Sequence, residues 1–444
     1  MVVQESVLTL EQKIATRQAV VGVVGLGNIG LSLLDAFGQN GFPLVGYDVD
    51  TKKVEMLKTK KSYINHLDME PLFRLIENDR FKVSDDPSIL KSADVIIISV
   101  ATTLDEHGNP NLSNLLAAFK AGSKYFKNDQ LIVVQSSTYP GTTEEELLPL
   151  LEKSQLKVGK DIFLAYVPEV CDFGNQDFTF CEVPRIIGGI TPECVKLAKL
   201  LYEQAGCKTV PVSSPRIAEA AKLLQNAYRL INISFINEMK ILFDHMGINV
   251  WEVIEAAKTK PFGFAPFYPG PGIGGDCIPV VPFYLVWNAK ACHGPSTMLE
   301  QAGHIDDMMV EYVLNKLMIG LNRFHKAISE AKILVLGVAY KKDVNDIRES
   351  PAIKLMEQLK KMDAKLSYHD PLIDTISHVK QFPDLNYKSI NLNYDQLDSY
   401  DAVIIITDHS TYDWNKIVSH SKLVIDTRNV TANIPDPDHK IIKA

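Results

Sequence analysis

Cys277 stands in the run Pro266-Phe267-Tyr268-Pro269-Gly270-Pro271-Gly272-Ile273-Gly274-Gly275-Asp276-Cys277-Ile278-Pro279, where glycine and proline let the backbone close around one thiol. A thiolate in such a loop is a nucleophile toward a carbonyl carbon; a buried loop cysteine is the other reading these residues allow. A second chemical signal lies near the opposite end of the chain. Gly25, Gly27 and Gly30, with Asn28 and Ile29 between them, form a GxGxxG turn between an apolar strand and a helix, where backbone amides and the helix dipole receive a pyrophosphate. Asp48 ends the next strand at the offset where a carboxylate binds both adenosine ribose hydroxyls and repels a 2′-phosphate, so NAD is favoured over NADP. Lys53 either faces a phosphate or is solvated. A thiol working beside a nicotinamide points to an oxidation through a thioester.

Two further places carry polar residues at a meaningful spacing. Lys222 and Asn226 lie one turn apart on a long helix, where Lys222 either donates to an oxyanion or sits on the solvent face. Glu169, in Tyr166-Val167-Pro168-Glu169-Val170, follows an apolar strand at the carboxyl edge of a sheet, where it either assists proton transfer or forms a surface salt bridge.

The elements that must position these groups follow from hydrophobic pattern. Apolar runs over residues 20–24, 43–47, 95–100, 131–135 and 162–166 alternate with helical segments, as in a sheet covered on both faces. Residues 216–245 and about 296–327 read as long helices with no strand between them. A second α/β pattern starts at residue 332, with strands expected at 333–337, 365–368, 402–407 and 423–426 and a helix at 351–362. Its first turn, Gly337-Val338-Ala339-Tyr340-Lys341-Lys342, has one glycine and two lysines, which suits a nucleotide portion of a substrate better than a second dinucleotide. The fold class is therefore α/β: two Rossmann-like doubly wound domains joined by a central helical module with a long helix. The expected divisions are 1–212, 213–328 and 329–444.

Composition narrows the function classes. Hydrophobic residues are 46% and charged residues 23% of 444, ordinary for a globular chain. A net charge of −8 without a basic face argues against nucleic acid and anionic membrane as partners. No apolar run approaches the roughly 20 residues a bilayer span needs, and residues 1–17 lack a signal-peptide core, so the chain reads as cytoplasmic. The six cysteines, Cys171, Cys181, Cys194, Cys207, Cys277 and Cys292, show no CxxC or zinc spacing, so no metal is expected and most read as buried thiols.

These motifs resemble the UDP-glucose/GDP-mannose dehydrogenase family. The likeness runs from Ala19 to about Asn433 and rests on Gly25 to Gly30, Ser62-Tyr63-Ile64, Thr102-Thr103-Leu104-Asp105-Glu106, Ser137-Thr138-Tyr139-Pro140-Gly141-Thr142-Thr143, Pro168-Glu169, Ala221 to Asn226, Gly274 to Cys277, Ala339-Tyr340-Lys341-Lys342-Asp343, Asp346-Ile347-Arg348-Glu349-Ser350 and Asp426-Thr427-Arg428-Asn429. Thr259 to Phe264 and the proline-rich run after it look most like the UDP-N-acetylglucosamine branch, with UDP-N-acetylmannosamine and UDP-glucose as alternatives. The resemblance implies two successive hydride transfers from C6 of a UDP-sugar to NAD, with Cys277 carrying the thiohemiacetal and then the thioester. It implies that Lys222 stabilises oxyanions, that Asn226 and Thr138 hold water, and that Glu169 assists proton movements. Thr102, Thr138 and Arg348 would face the cofactor, and Tyr268, Gly274 and Lys341 the sugar nucleotide, with the two Rossmann-like domains facing one cleft. The helical module would pair subunits into at least a homodimer.

The chain departs from the family's pattern close to this chemistry. Val281 stands where an aspartate usually follows the cysteine by four residues, and Asp276 directly precedes the cysteine. Gln135 replaces a frequent glutamate, Ala101 and Thr103 replace prolines, and Val170-Cys171 replaces an Arg-Glu pair. These changes leave open a sugar-nucleotide-binding homologue with little turnover, or an altered substrate.

Overall fold

In the computed structural model, the described residues are 8–64, 67–170, 178, 180–377, 379 and 381–444. Cys171 lies outside them. The chain divides into two compact units, Met1–Gln225 with Phe283–Gly294, and Asn226–Pro282 with Pro295–Ala444.

The first unit is built on eight strands: β1 (Val21–Val24), β2 (Leu44–Tyr47), β3 (Phe81–Ser84), β4 (Val95–Ile98), β5 (Gln130–Val134), β6 (Ile162–Tyr166), β7 (Arg185–Gly189) and β8 (Thr209–Val212), in the order β8-β7-β6-β5-β4-β1-β2-β3. From β3 to β6 this is the doubly wound dinucleotide order, whose switch point falls between β1 and β4. Strands β1, β2, β4, β5 and β6 are buried along their whole length, which is why apolar residues stand on both of their faces. The pairing is parallel except between β6 and β7, where Ala165 opposes Gly189. Strands β3, β7 and β8 lie outside the sequence expectation. β8 carries Pro211, tolerated because it is an edge strand with no further neighbour to bond. Helix α1 (Asn28–Gln39) follows β1, and α2 (Pro192–Gln204) joins β7 to β8.

Helix α3 (Pro215–His245) is continuous for 31 residues, and the division between the units falls within it, after Gln225. The next helices are α4 (Val250–Ala257), α5 (Phe283–Ala291) and α6 (Thr297–Arg323). The sequence reading did not contain α5. Among the described residues no helix is long and apolar enough to cross a membrane.

The second unit holds five parallel strands, β9 (Lys332–Leu336), β10 (Lys365–His369), β11 (Ala402–Ile405), β12 (Val424–Asp426) and β13 (Ile441–Lys443), in the order β10-β9-β11-β12-β13. Helix α6 seats Val313, Leu317 and Leu321 in the same core as Ile333, Ile404 and Ile425. The region expected as a helical module therefore supplies part of the second sheet's hydrophobic cover. Gly320 permits the approach: a Cβ there would lie 2.7 Å from Leu423 and 2.9 Å from Ile442. Helix α7 (Pro351–Lys361) covers this sheet as well, capped by Ser350, whose hydroxyl accepts from the N–H of Ala352.

Candidate active site

The glycine turn after β1 is shaped by steric necessity. Gly25 has φ +95, and a Cβ there would collide with the carbonyl of Ser99 beyond β4; one on Gly30 would collide with the carbonyl of Gly25. Gly27 differs, since a Cβ there would meet nothing within 4 Å. Helix α1 begins after Gly27 with no side-chain cap, leaving the first N–H groups of Asn28 and Ile29 to an anionic ligand. Open space above an uncapped helix start, at the switch point of a doubly wound sheet, fits a dinucleotide pyrophosphate.

Asp48 is buried at the end of β2, and its carboxylate accepts from the N–H of Leu26 at 2.7 Å and of Asp50 at 2.9 Å. The Lys53 Nζ lies 3.7 Å from Asp48 Oδ2. Tyr63 donates to the carbonyl of Leu26 at 2.6 Å and grips the same turn from the other side. The Thr102 hydroxyl donates to the carbonyl of Ser137 at 2.7 Å, tying the end of β4 to the loop after β5.

That loop, residues 137–143, is held by a residue the sequence reading missed. Glu219, fully buried on α3, accepts from the N–H of Gly141 at 2.6 Å, the N–H of Thr143 at 2.9 Å and the hydroxyl of Thr143 at 2.6 Å. The hydroxyl of buried Thr138 lies 3.4 Å from the same carboxylate. Burial pushes the Glu219 carboxyl above its ordinary range, against the pull of these hydrogen bonds. A sequence signal existed, because Glu219, Lys222 and Asn226 recur at i, i+3 and i+7 on one face of α3. Helix α5 packs on this loop: the Trp287 ring lies 4.8 Å from Tyr139, and Tyr284 donates to the carbonyl of Thr103 at 3.0 Å.

Lys222 is 7% exposed, which overturns the solvent-face reading. Among the described residues no carboxylate lies within ion-pair distance of its ammonium. Asn226, one turn on, is 4% exposed and its Nδ2 lacks a hydrogen-bond partner among the described residues, an arrangement that calls for water or a ligand. Glu169 does not form a surface salt bridge either. It is buried, pairs with fully buried Arg185 at 3.1 Å and accepts from the Gln135 amide, whose oxygen receives the hydroxyl of Tyr202 at 2.8 Å. Gln135 thus bridges a phenol and a carboxylate, where a glutamate would set two carboxylates face to face.

In the second unit, the loop bearing Cys277 is clamped at several points. Gly270 donates to Asn237 at 3.0 Å, Ile273 to Asp306 at 2.7 Å, and Gly275 to the carbonyl of Arg348 at 2.8 Å. A Cβ on Gly274 would lie 2.5 Å from Tyr340 Cβ, and one on Gly275 3.0 Å from the Tyr340 ring. Cys277 itself is exposed, which overturns the buried-thiol reading, and its Sγ lies 3.5 Å from Asp276 Oδ1. The other oxygen of Asp276 accepts from Arg348, which also grips Asp346 through Nε and Nη2. Burial opposes the charge on Arg348, but its bonds to Asp346 and the charge of Asp276 more than offset this and hold it protonated. Val281 is buried and its N–H returns to the carbonyl of Cys277 at 2.9 Å. Tyr268 is exposed, with its hydroxyl on Glu255 at 2.9 Å and its ring stacked on Trp251.

The turn after β9 repeats the first unit's plan with a different outcome. Asp370, at the end of β10, accepts from the N–H of Val338 at 2.7 Å and Ala339 at 2.9 Å, and lies 3.1 Å from His409 Nε2. Two loop amides are thereby consumed internally, so this turn is no second dinucleotide cradle. Half-buried Lys341 follows Tyr340 in it. Neither Asp370 nor His409 was legible from sequence. Among the described residues no cluster of His, Cys, Asp or Glu could hold a metal ion.

A doubly wound dinucleotide sheet, an exposed loop thiol and a second doubly wound sheet define a nucleotide-linked oxidoreductase. Three stretches match the UDP-glucose/GDP-mannose dehydrogenase family: its NAD binding domain over residues 19–206, its central domain over 216–308 and its UDP binding domain over 334–433. Protein CapL of Staphylococcus aureus is 32% identical over 419 residues, 92% of this chain and 96% of that protein. The UDP-N-acetyl-D-glucosamine 6-dehydrogenase of Pseudomonas aeruginosa is 30% identical over 397 residues, 88% and 91% of the two chains. The solved structure of a UDP-D-ManNAc dehydrogenase from Pyrococcus horikoshii matches with a TM-score of 0.83 at 30% identity, covering 95% of this chain and 98% of that one. The chain belongs to the UDP-glucose/GDP-mannose dehydrogenase family and is an NAD-dependent oxidoreductase of the UDP-sugar class.

Two predictions follow from this geometry. Gly27→Ala adds a methyl group where no protein atom stands, so the thermal midpoint should hold while the Kd for NAD rises by about tenfold or more in calorimetry; unchanged affinity would show the open space to be unused. Asp306 is pushed up to about 6, chiefly by burial. A raised carboxyl costs nothing below about pH 4, where folded and unfolded states are both protonated, and its full cost, about 3 kcal/mol, is reached above about pH 6. Asp306→Asn should therefore raise the thermal midpoint above about pH 6 and leave it unchanged below about pH 4.

Proposed function

We propose that this chain oxidises the C6 hydroxymethyl group of a UDP-hexose, with UDP-N-acetylglucosamine as preferred substrate, to the carboxylate through a thioester on Cys277. The observation that carries this reading is the exposed thiol on a loop locked by Tyr340, Arg348 and Asp306. The likeness of residues 259–272 to the acetylglucosamine branch supports the substrate, as does the similarity to the UDP-N-acetyl-D-glucosamine 6-dehydrogenase of Pseudomonas aeruginosa. UDP-N-acetylmannosamine and UDP-glucose are the alternatives.

NAD, when bound at Gly25, Gly27, Asn28, Ile29, Gly30, Asp48 and Lys53, supplies the hydride acceptor for both oxidations. Thr102, Thr138 and Arg348 complete its site. Lys222, held out of bulk water, balances negative charge developing on the C6 oxygen. The Cys277 sulfur adds to the aldehyde carbon, and the thiol proton passes to a carboxylate; Asp276, 3.5 Å away, is placed to take it. Loss of the second hydride leaves the thioester. Water held by Asn226 and Thr138 adds to its carbon, the C–S bond breaks, and the thiolate leaves with the uronate released; Glu169 assists the accompanying proton transfers. Tyr268, Gly274 and Lys341 contact the sugar nucleotide. The working divisions are 1–212 for NAD, 213–328 for pairing and 329–444 for the UDP moiety, in a cytoplasmic protein that is at least a homodimer.

Buried Val281 favours a second reading. No carboxylate stands at that position, so thioester hydrolysis is the step most exposed to slowing, and a sugar-nucleotide-binding protein with little turnover is its limit.

Purified protein with NAD and a panel of UDP-hexoses should yield about two NADH per molecule of UDP-N-acetylglucosamine, and Cys277→Ser should lower full oxidation by about 10³-fold or more. Unchanged turnover in that variant rejects the thioester route, and binding of both ligands without NADH formation selects the second reading.

Pairing has its own test. Ile217, Leu224, Tyr228, Phe235 and Leu242 recur at intervals of seven and four along α3 and are exposed, an apolar stripe suited to a second copy. Leu224→Lys combined with Phe235→Glu should reduce the mass in light scattering to that of one chain; a wild-type chain that is already monomeric would remove the proposal.

A further inference from the structure

Cys181 and Cys207 are separated by 26 residues, yet their sulfurs lie 2.7 Å apart, with the Cys207 thiol donating to Cys181. Cys181 stands in the turn entering β7 and Cys207 in the connection entering β8, so the contact joins the starts of two neighbouring strands. Cys207 is buried and Cys181 half-buried, so one residue of the pair reaches solvent and the other is shielded; the Cys181 thiol in turn donates to the carbonyl of Ala205 at 3.1 Å. Arg185 lies beside them: it donates to the carbonyl of Phe180 at 2.6 Å and its guanidinium sits 3.6 Å above the Phe180 ring. The hydrogen bond from Cys207, aided by the Arg185 charge, holds the Cys181 thiol below its usual range, while donating that bond pushes Cys207 up. Packing as small hydrophobes requires none of this. Two thiols in mutual contact beside a buried cation have the layout of an attacking and a resolving cysteine. The sulfurs need to approach by only about 0.7 Å to reach bonding distance. The proposed oxidation of sugars uses neither of them.

We propose that Cys181 and Cys207 are a reversible redox site, converted to a disulfide by a hydroperoxide. The Cys181 thiolate attacks hydrogen peroxide, forming an S–O bond as the O–O bond breaks, and the departing hydroxide takes up the proton given up by the Cys181 thiol to leave as the first water. The Cys207 sulfur then displaces the sulfenic oxygen: an S–S bond forms, the S–O bond breaks, and the Cys207 proton departs with the second water. Two electrons pass from the dithiol to the peroxide, and a dithiol reductant reverses the change.

The test treats the full chain with hydrogen peroxide, alkylates the remaining thiols and maps peptides by mass spectrometry without reduction. Alkylation should disappear at Cys181 and Cys207 together. A cross-linked peptide pair lighter by two hydrogens should appear, and dithiothreitol should restore both thiols. Cys207→Ser should abolish the cross-link and leave Cys181 as a sulfenic acid trapped by dimedone. The proposal is overturned if both thiols remain alkylatable at a peroxide dose that oxidises exposed Cys277, or if Cys181 bridges to another cysteine instead.

Discussion

The backbone of Gly274 and Gly275 lies directly against Tyr340, and the Cys277 thiol owes its position to that approach. A methyl group at either glycine would meet the tyrosine at 2.5 to 3.0 Å, so any side chain there would push the loop away. The bond from Gly275 to the Arg348 carbonyl closes the clamp, and Arg348 then extends its guanidinium to Asp276, the neighbour of the thiol. One steric allowance thus links three segments of sequence, residues 274–277, 339–343 and 346–350. The cysteine is exposed yet held, the combination a nucleophile needs if its loop is not to collapse over it.

A second device recurs: carboxylates accept loop N–H groups and fix turns that no regular element would hold. Asp48 and Asp370 do so at matching places in the two sheets, at the ends of β2 and β10. Glu219 and Asp306 do the same for the loops at 141–143 and 273. Each gains charge-assisted hydrogen bonds and loses hydration. In Glu219 and Asp306 burial wins and the carboxyl is raised; in Asp370 burial is outweighed by the interaction with His409 and the hydrogen bonds from the Ala339 and Leu372 amides, and the carboxyl is lowered. In the first sheet the open space at Gly27 leaves room for a pyrophosphate, whereas in the second Asp370 has taken two of the turn's own amides. The same plan therefore suits a dinucleotide in one unit and not in the other.

Much of the fold was legible because buried parallel strands must be apolar on both faces, so residues 20–24, 43–47, 95–100, 131–135 and 162–166 announce themselves as short apolar runs. Strands β7, β8 and β13 escaped notice for a related reason. β7 ends in Gly188-Gly189, β8 contains Pro211 and is only half-buried, and β13 is three residues long. Helix α5 escaped too, its nine residues lying directly after the proline-rich loop. In the site, glycine spacing revealed the turn after β1 and the composition of the loop revealed Cys277. Spacing alone favoured the solvent for Lys222 and left a surface ion pair open for Glu169, and the folded chain buries both.

By itself the sequence determined what local chemistry dictates: which runs become strands, where only glycine can turn, which thiol sits in a loop and which carboxylate ends the second strand. Those features depend on neighbours along the chain. Only the tertiary structure decided which charges are buried and what they face, because Glu219 meets the loop at 138–143, Arg185 meets Glu169, Arg348 meets Asp276, and Cys181 meets Cys207 across separations set by the sheets. Burial and pairing are properties of packed surfaces, and no residue's identity or spacing contains them.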